Sequence, residues 1–196
     1  ITLPAEAIQL VYFQAAQSLL AHGFKRFLIL NGHAGNAATV QYLVDRINQE
    51  TAGIAVELDD VAQPFRTGAA RQGPPAFDRH AGVSETSRSL YLTPNLVNMG
   101  VARTAPLTLL PHLQKILPEV AAGDPTATRV FLAEALKAAS TGKGTSAKDM
   151  TETGVWSALD VKAATAERGR TETEASVNAA VAFIERWKQL RPLGTK

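Results

Sequence analysis

Residues 27–36, Phe27-Leu28-Ile29-Leu30-Asn31-Gly32-His33-Ala34-Gly35-Asn36, decide the reading of the fold. The first four form a short, continuous apolar run. Between turn signals, such a run fits a strand covered on both faces, as in a parallel sheet. It stops at a loop with two glycines, and a helix follows. Asn36 can cap that helix, and Val40, Leu43, Val44 and Ile47 turn inward at helical spacing. Gly53 breaks it, and Ile54 to Leu58 reads as the next strand. Upstream, a helix is expected from about Pro4 to Ala21, with Ile8, Val11, Tyr12, Ala15, Leu19 and Leu20 as its apolar stripe. Pro4 suits a first helical position and Gly23 the residue just past the end. The order helix, strand, loop, helix, strand implies right-handed crossovers and an α/β fold, three-layer α/β/α, with a mainly parallel sheet. Ligands bind such sheets at the carboxyl ends of the strands, where the loop 31–36 sits.

Further along, residues 59–79 read as a loop rich in Pro, Gly and Arg. A short helix is expected from about Ser84 to Tyr91, with Ser84 as its cap. Residues 95–123, punctuated by Pro106, Pro111 and Pro118, read as irregular. Asp124-Pro125 opens a helix to about Ser140. Residues 141–154 are polar and read as a loop or flap, and a last helix spans about Val161 to Leu190. No internal repeat is evident, and 196 residues form one domain by default.

Composition excludes some functions and leaves others open. The net charge of +2 comes from scattered residues, so no nucleic-acid footprint is visible. No apolar stretch approaches the roughly 20 residues that span a bilayer, so no membrane partner is expected. The absence of cysteine excludes disulfides and thiolate metal sites. A cytoplasmic location is favoured, with a periplasmic or secreted one open if an N-terminal signal has been removed. The chain starts at Ile1, and its opening reads like mid-protein text.

Two segments can carry chemistry. In Asn31–Asn36, glycines let the backbone turn sharply beside a ligand, and His33 can place a neutral imidazole nitrogen on a metal. A tight turn whose histidine only hydrogen-bonds the backbone explains the same residues, and both readings stay open. The glycine spacing is not that of a phosphate loop. In His80-Ala81-Gly82-Val83-Ser84-Glu85-Thr86-Ser87, an imidazole, a carboxylate and two hydroxyls fall where a loop enters a helix. A well-capped helix accounts for them without catalysis. The pairing of His80 with Glu85 tilts the reading toward function. A Ser/His hydrolase is the weaker alternative, because no serine sits in a Gly-x-Ser-x-Gly elbow. His22 ends a helix and His112 lies in a proline-flanked loop, so neither is assigned chemistry. Trp156 and Trp187 read as packing residues.

At these two segments the chain resembles the creatininase (creatinine amidohydrolase) family. That family runs a strand into Asn-Gly-His-Gly-Gly-Asn and carries His-Ala-Gly-x-x-Glu-Thr-Ser as a second signature. The resemblance covers residues 1 to about 100. It returns at Gly154-Val155-Trp156 and Ala166-Glu167-Arg168-Gly169. It implies a creatininase-like domain hydrolysing amide-type C–N bonds with two divalent metals, zinc or manganese. It implies His33 as a metal ligand, His80 as the proton-transfer or substrate-binding histidine, and Glu85 as a site carboxylate and candidate ligand. It also implies a small-molecule amide substrate and a homo-oligomer, commonly a hexamer.

Two departures point away from creatinine itself. Gly35 stands where creatininase proper has a glutamate ligand, and Ala76 and Phe77 occupy a stretch that carries its tryptophan. The family's first signature, Glu-x-His-Gly followed by an Asp, matches nothing in residues 1–196. The expectation is therefore a domain lacking its N-terminal metal-ligand segment. His33 and His80 are expected to share one cleft. The rival from another class is a non-catalytic creatininase-fold binding or assembly protein without metal.

Overall fold

The computed structural model describes residues 3–67, 77–135 and 151–192. The chain forms two compact units, residues 1–66 with 176–196 and residues 67–175. Its class is mixed α/β and mostly helical.

In the first unit the elements are α1 (Ala5–Ala21), β1 (Arg26–Ile29), a 3-10 turn (Ala34–Asn36), α2 (Ala37–Glu50), β2 (Ile54–Glu57) and α3 (Leu58–Ala62). β1 and β2 pair in parallel, Arg26 opposite Ile54 and Ile29 opposite Glu57. Both expected strands are therefore present to within a residue, and α2 is the crossover between them. Among the described residues the sheet has these two strands. A pair this short needs packing to persist. That packing comes from Phe13 and Ala16 of α1 and Leu43, Val44 and Ile47 of α2, closed over Ala55, Phe27 and Ile29. Each large side chain buried this fully contributes about 1.5–3 kcal/mol. The outer edge of β2 is occupied by a side chain: the Asn48 amide donates to the Ala55 carbonyl (3.0 Å) and accepts its N–H (2.7 Å). On the opposite pleat, the Arg26 guanidinium lies 5.5 Å from the Trp187 ring and donates to the carbonyls of Arg191 and Pro192.

The expected apolar stripe of α1 is only partly turned inward, with Ile8 and Leu20 half-buried. Phe13 and Ala16 are buried, whereas Val11 and Tyr12 are 62% and 59% exposed and Leu19 is exposed as well. α1 is apolar on two opposite sides with a single charged residue, Glu6. Periodicity alone could not say which side faces inward. Leu58, expected to end β2, and residues 59–65, expected as loop, form α3 and a 3-10 turn instead. Glu57 caps α3 by accepting the Asp60 N–H.

In the second unit, α4 (Val83–Leu92), α5 (Pro111–Ala121) and α6 (Pro125–Ala135) precede α7 (Ala166–Leu190), which begins here and ends in the first unit. The core is Phe77, Leu113, Val120, Phe131 and Trp156. The Phe77 ring meets Trp156 edge-on at 4.8 Å and Phe131 at 5.2 Å. α5 corrects the irregular reading of 95–123. Pro111 occupies its first turn, where no N–H is needed, and Pro118 is tolerated within it. His112 accordingly lies on a helix rather than in a loop, 2.7 Å from Glu134 of α6. Asp124 caps α6 as expected, accepting the Ala127 N–H. The expected flap at 141–154 falls largely outside the described residues. Among the described residues, no helix is long and apolar enough to cross a membrane.

Candidate functional site

His33 stands at the carboxyl end of β1, on a loop that packing does not hold. Asn31 is half-buried and residues 32–36 are exposed. Polar links fix the loop instead. The Asn31 side chain accepts the His33 N–H at 3.1 Å, and His33 Nδ1 accepts the Gly35 N–H at 3.1 Å. With Nδ1 accepting, neutral His33 carries its proton on Nε2. A Cβ on Gly35 would stand 2.9 Å from Nδ1, so a glycine is what lets the imidazole fold over the turn. Glu57, absent from the sequence reading, lies at the carboxyl end of β2 and accepts the Asn31 N–H at 3.3 Å. The signal for it was a carboxylate ending the second apolar run.

In the second unit, residues 77–80 run antiparallel to 156–158. The Arg79 N–H donates to the Trp156 carbonyl and the Trp156 N–H to the His80 carbonyl (2.8 Å). This pairing sets the His80 ring 5.5 Å from the Trp156 indole, which is buried. The N-cap of α4 is Gly82 rather than Ser84. The cap's carboxylate comes from Asp78, whose oxygens accept the N–H groups of Val83 and Ser84 (2.8 Å each) and the Ser157 hydroxyl (2.8 Å). Negative charge suits this helix end. A Cβ on Gly82 would stand 1.9 Å from the Asp78 carboxylate, so glycine is required there too. Sequence reading missed Asp78, although an aspartate five residues before a helix start was the available sign.

Ala81 adopts φ 49°, a left-handed conformation costly for a residue with a Cβ. Two motif side chains hold it. Glu85 accepts its N–H at 2.9 Å, and the Thr86 hydroxyl donates to its carbonyl at 3.1 Å. Ser84 is tied to α7: its hydroxyl donates to Glu172, accepts from Arg168, and Arg168 itself donates to Glu172 at 2.7 Å. On the outer side of α7, a hydrogen bond to Arg170, and then its charge, hold the Glu167 carboxyl below the usual carboxylate range.

An open groove of about 560 Å³ runs along Thr104, Leu107, Gln114, Leu117 and Ala158 in the second unit. His80 and Glu85 are not among its lining residues, so this groove is not where the motif chemistry lies.

The donor chemistry of His33 and Glu85 suits a divalent metal, but the set is incomplete. Among the described residues, no three His, Cys, Asp or Glu side chains gather into a group that could hold a metal ion. One acceptor of each candidate is also committed to a backbone N–H. By themselves these residues do not fit a metal pair.

The sequence profile of the Creatininase family, creatinine amidohydrolase, matches residues 1–184. The chain belongs to the creatininase family. A crystal structure of a protein provisionally named a creatinine amidohydrolase, from Bacteroides fragilis, has a similar fold at a TM-score of 0.56 and 23% identity. The alignment covers 94% of this creatininase-family chain and 63% of the other, so the chain spans less than two thirds of that protein's length. Comparison with curated proteins gives no match.

Proposed function

We propose that this chain is part of a metal-dependent hydrolase of amide or cyclic-amide C–N bonds, acting on a small molecule other than creatinine. The observation that carries the reading is the family match across both signature segments, 31–36 and 80–87. In this reading His33 is a metal ligand, Glu85 a site carboxylate and candidate ligand, and His80 the residue that protonates the departing nitrogen. The metals, zinc or manganese, would supply an activated water and polarise the carbonyl. In this reading the remaining ligands lie outside the described residues. The same reading places the two-stranded sheet within a larger parallel sheet in a three-layer α/β/α domain. The test is an amide-hydrolysis screen, with zinc or manganese, on a protein that carries this chain together with the further ligands. Turnover that needs metal and falls by roughly 10²–10⁴-fold in His80→Ala supports the reading. Metal-independent turnover, or none on any amide, ends it.

Self-association into a homo-oligomer, up to a hexamer, belongs to the same proposal. The exposed stripe Val11, Tyr12 and Leu19 supports it, because contiguous apolar surface tends to be covered. With Glu6 as the one charge of α1, two copies can meet there without like-charge conflict. Light scattering of the chain should show an oligomer, and Val11→Asp with Tyr12→Ser should shift it toward monomer. A monodisperse monomer for the unmodified chain counts against the proposal.

A further inference from the structure

We infer that Glu57 is the positioning residue for His33, acting through Asn31. This rests on the proposed role of His33 as a ligand, and it adds a residue that neither signature contains.

The register of the sheet puts Glu57 opposite Ile29, level with the point where the chain leaves β1 for the His33 loop. Its two carboxylate oxygens have separate tasks. Oε2 accepts the Asp60 N–H at 2.6 Å and so starts α3. Oε1 accepts the Asn31 N–H at 3.3 Å and so anchors the first residue of the loop. Asn31 then passes the restraint on, its side-chain oxygen accepting the His33 N–H, and His33 Nδ1 accepts the Gly35 N–H. Four backbone N–H groups are thereby held in sequence by three side chains. The loop needs this because residues 32–36 are exposed and two of them are glycines.

The chemistry requires a carboxylate. Both groups facing Glu57 are N–H donors, so both of its ends must accept. A glutamine offers one acceptor and one NH2, and that NH2 would face an N–H. Aspartate is a methylene shorter and reaches one donor at most.

The experiment compares Glu57→Gln and Glu57→Ala with the unmodified chain by NMR, without metal. Losing a hydrogen bond to a charged acceptor should raise local opening roughly tenfold. Amide exchange at Asn31 and His33 should therefore quicken about tenfold in both variants. The Gly35 amide should lose its hydrogen-bonded shift, and the His33 χ1 couplings should average. Asn48→Ala is the control, since it loosens β2 at Ala55 without touching the loop, and it should leave the His33 couplings unmoved. Unchanged loop exchange and couplings in Glu57→Gln overturn the inference, as does an equal effect from Asn48→Ala. Zinc titrated into a protein that also carries the further ligands separates the two ideas. If zinc shifts no His33 resonance, the ligand reading fails, whereas the positioning role stands or falls on the metal-free spectra.

Discussion

Gly169→Ala should destabilise the second unit by about 2–3 kcal/mol, the upper range for forcing extra volume into packed structure. In a free helix the same change would stabilise by about 1 kcal/mol, because glycine is a poor helix former. Here the sign reverses for a steric reason. A Cβ at 169 would stand 1.9 Å from the Ser87 carbonyl oxygen, 2.4 Å from its carbonyl carbon and 2.8 Å from the Arg88 nitrogen. These are backbone atoms of α4 and have no rotamer to escape into. Ser87 is fully buried, and its hydroxyl accepts the Thr165 N–H at 3.0 Å, so α4 cannot back away without losing that bond as well. The melting temperature should fall by roughly 5–10 °C for a chain of this length. Gly32→Ala is the comparison, since nothing lies within 4 Å of a Cβ there and the change should stay within about 0.5 kcal/mol. If the two variants melt alike by circular dichroism, the close approach of α7 to α4 is wrong.

What the sequence revealed follows from which physical signals are local. The runs 27–30 and 54–58 gave β1 and β2, because short, largely apolar runs between turn signals read as buried strands. The inward face of α2 was legible from Leu43, Val44 and Ile47, since its other side is polar. α1 has no such contrast, so its sequence did not show that Phe13 and Ala16, rather than Val11, Tyr12 and Leu19, are buried. α5 was hidden by its prolines, although Leu113, Ile116, Leu117 and Val120 keep helical spacing and Pro111 is a start signal. The two histidine segments stood out because glycine and histidine are informative wherever they cluster. Glu57 and Asp78 did not, because an acid has meaning only beside the N–H groups it meets, and the Asn31 N–H lies 26 residues from Glu57 while those of Val83 and Ser84 lie across a turn from Asp78. Gly169 was visible as a motif step, but its reason, contact with a helix 82 positions earlier (169 − 87), is tertiary.

The expected result for metal follows from counting donors. After dialysis, the 196-residue chain should hold well under one equivalent of zinc or manganese. A catalytic zinc usually keeps three protein ligands, and a metal pair normally shares a bridging carboxylate as well. The motifs offer His33 and Glu85, with His80 assigned to proton transfer. His33 and Glu85 each have an acceptor engaged by a backbone N–H, at 3.1 Å and 2.9 Å. Water at the unfilled positions contributes little affinity, so binding should be weak and turnover negligible. In the proposed reading, a protein that also carries the further ligands should bind tightly. In it, His33→Ala should lower metal affinity by more than the roughly 10–100-fold that losing an outer-shell partner costs. His80→Ala should keep the metal and lose turnover, which separates a ligand from a proton donor in one pair of variants. Elemental analysis decides the first step, and two tightly held equivalents on this chain alone would mean that its ligands include side chains other than those assigned here.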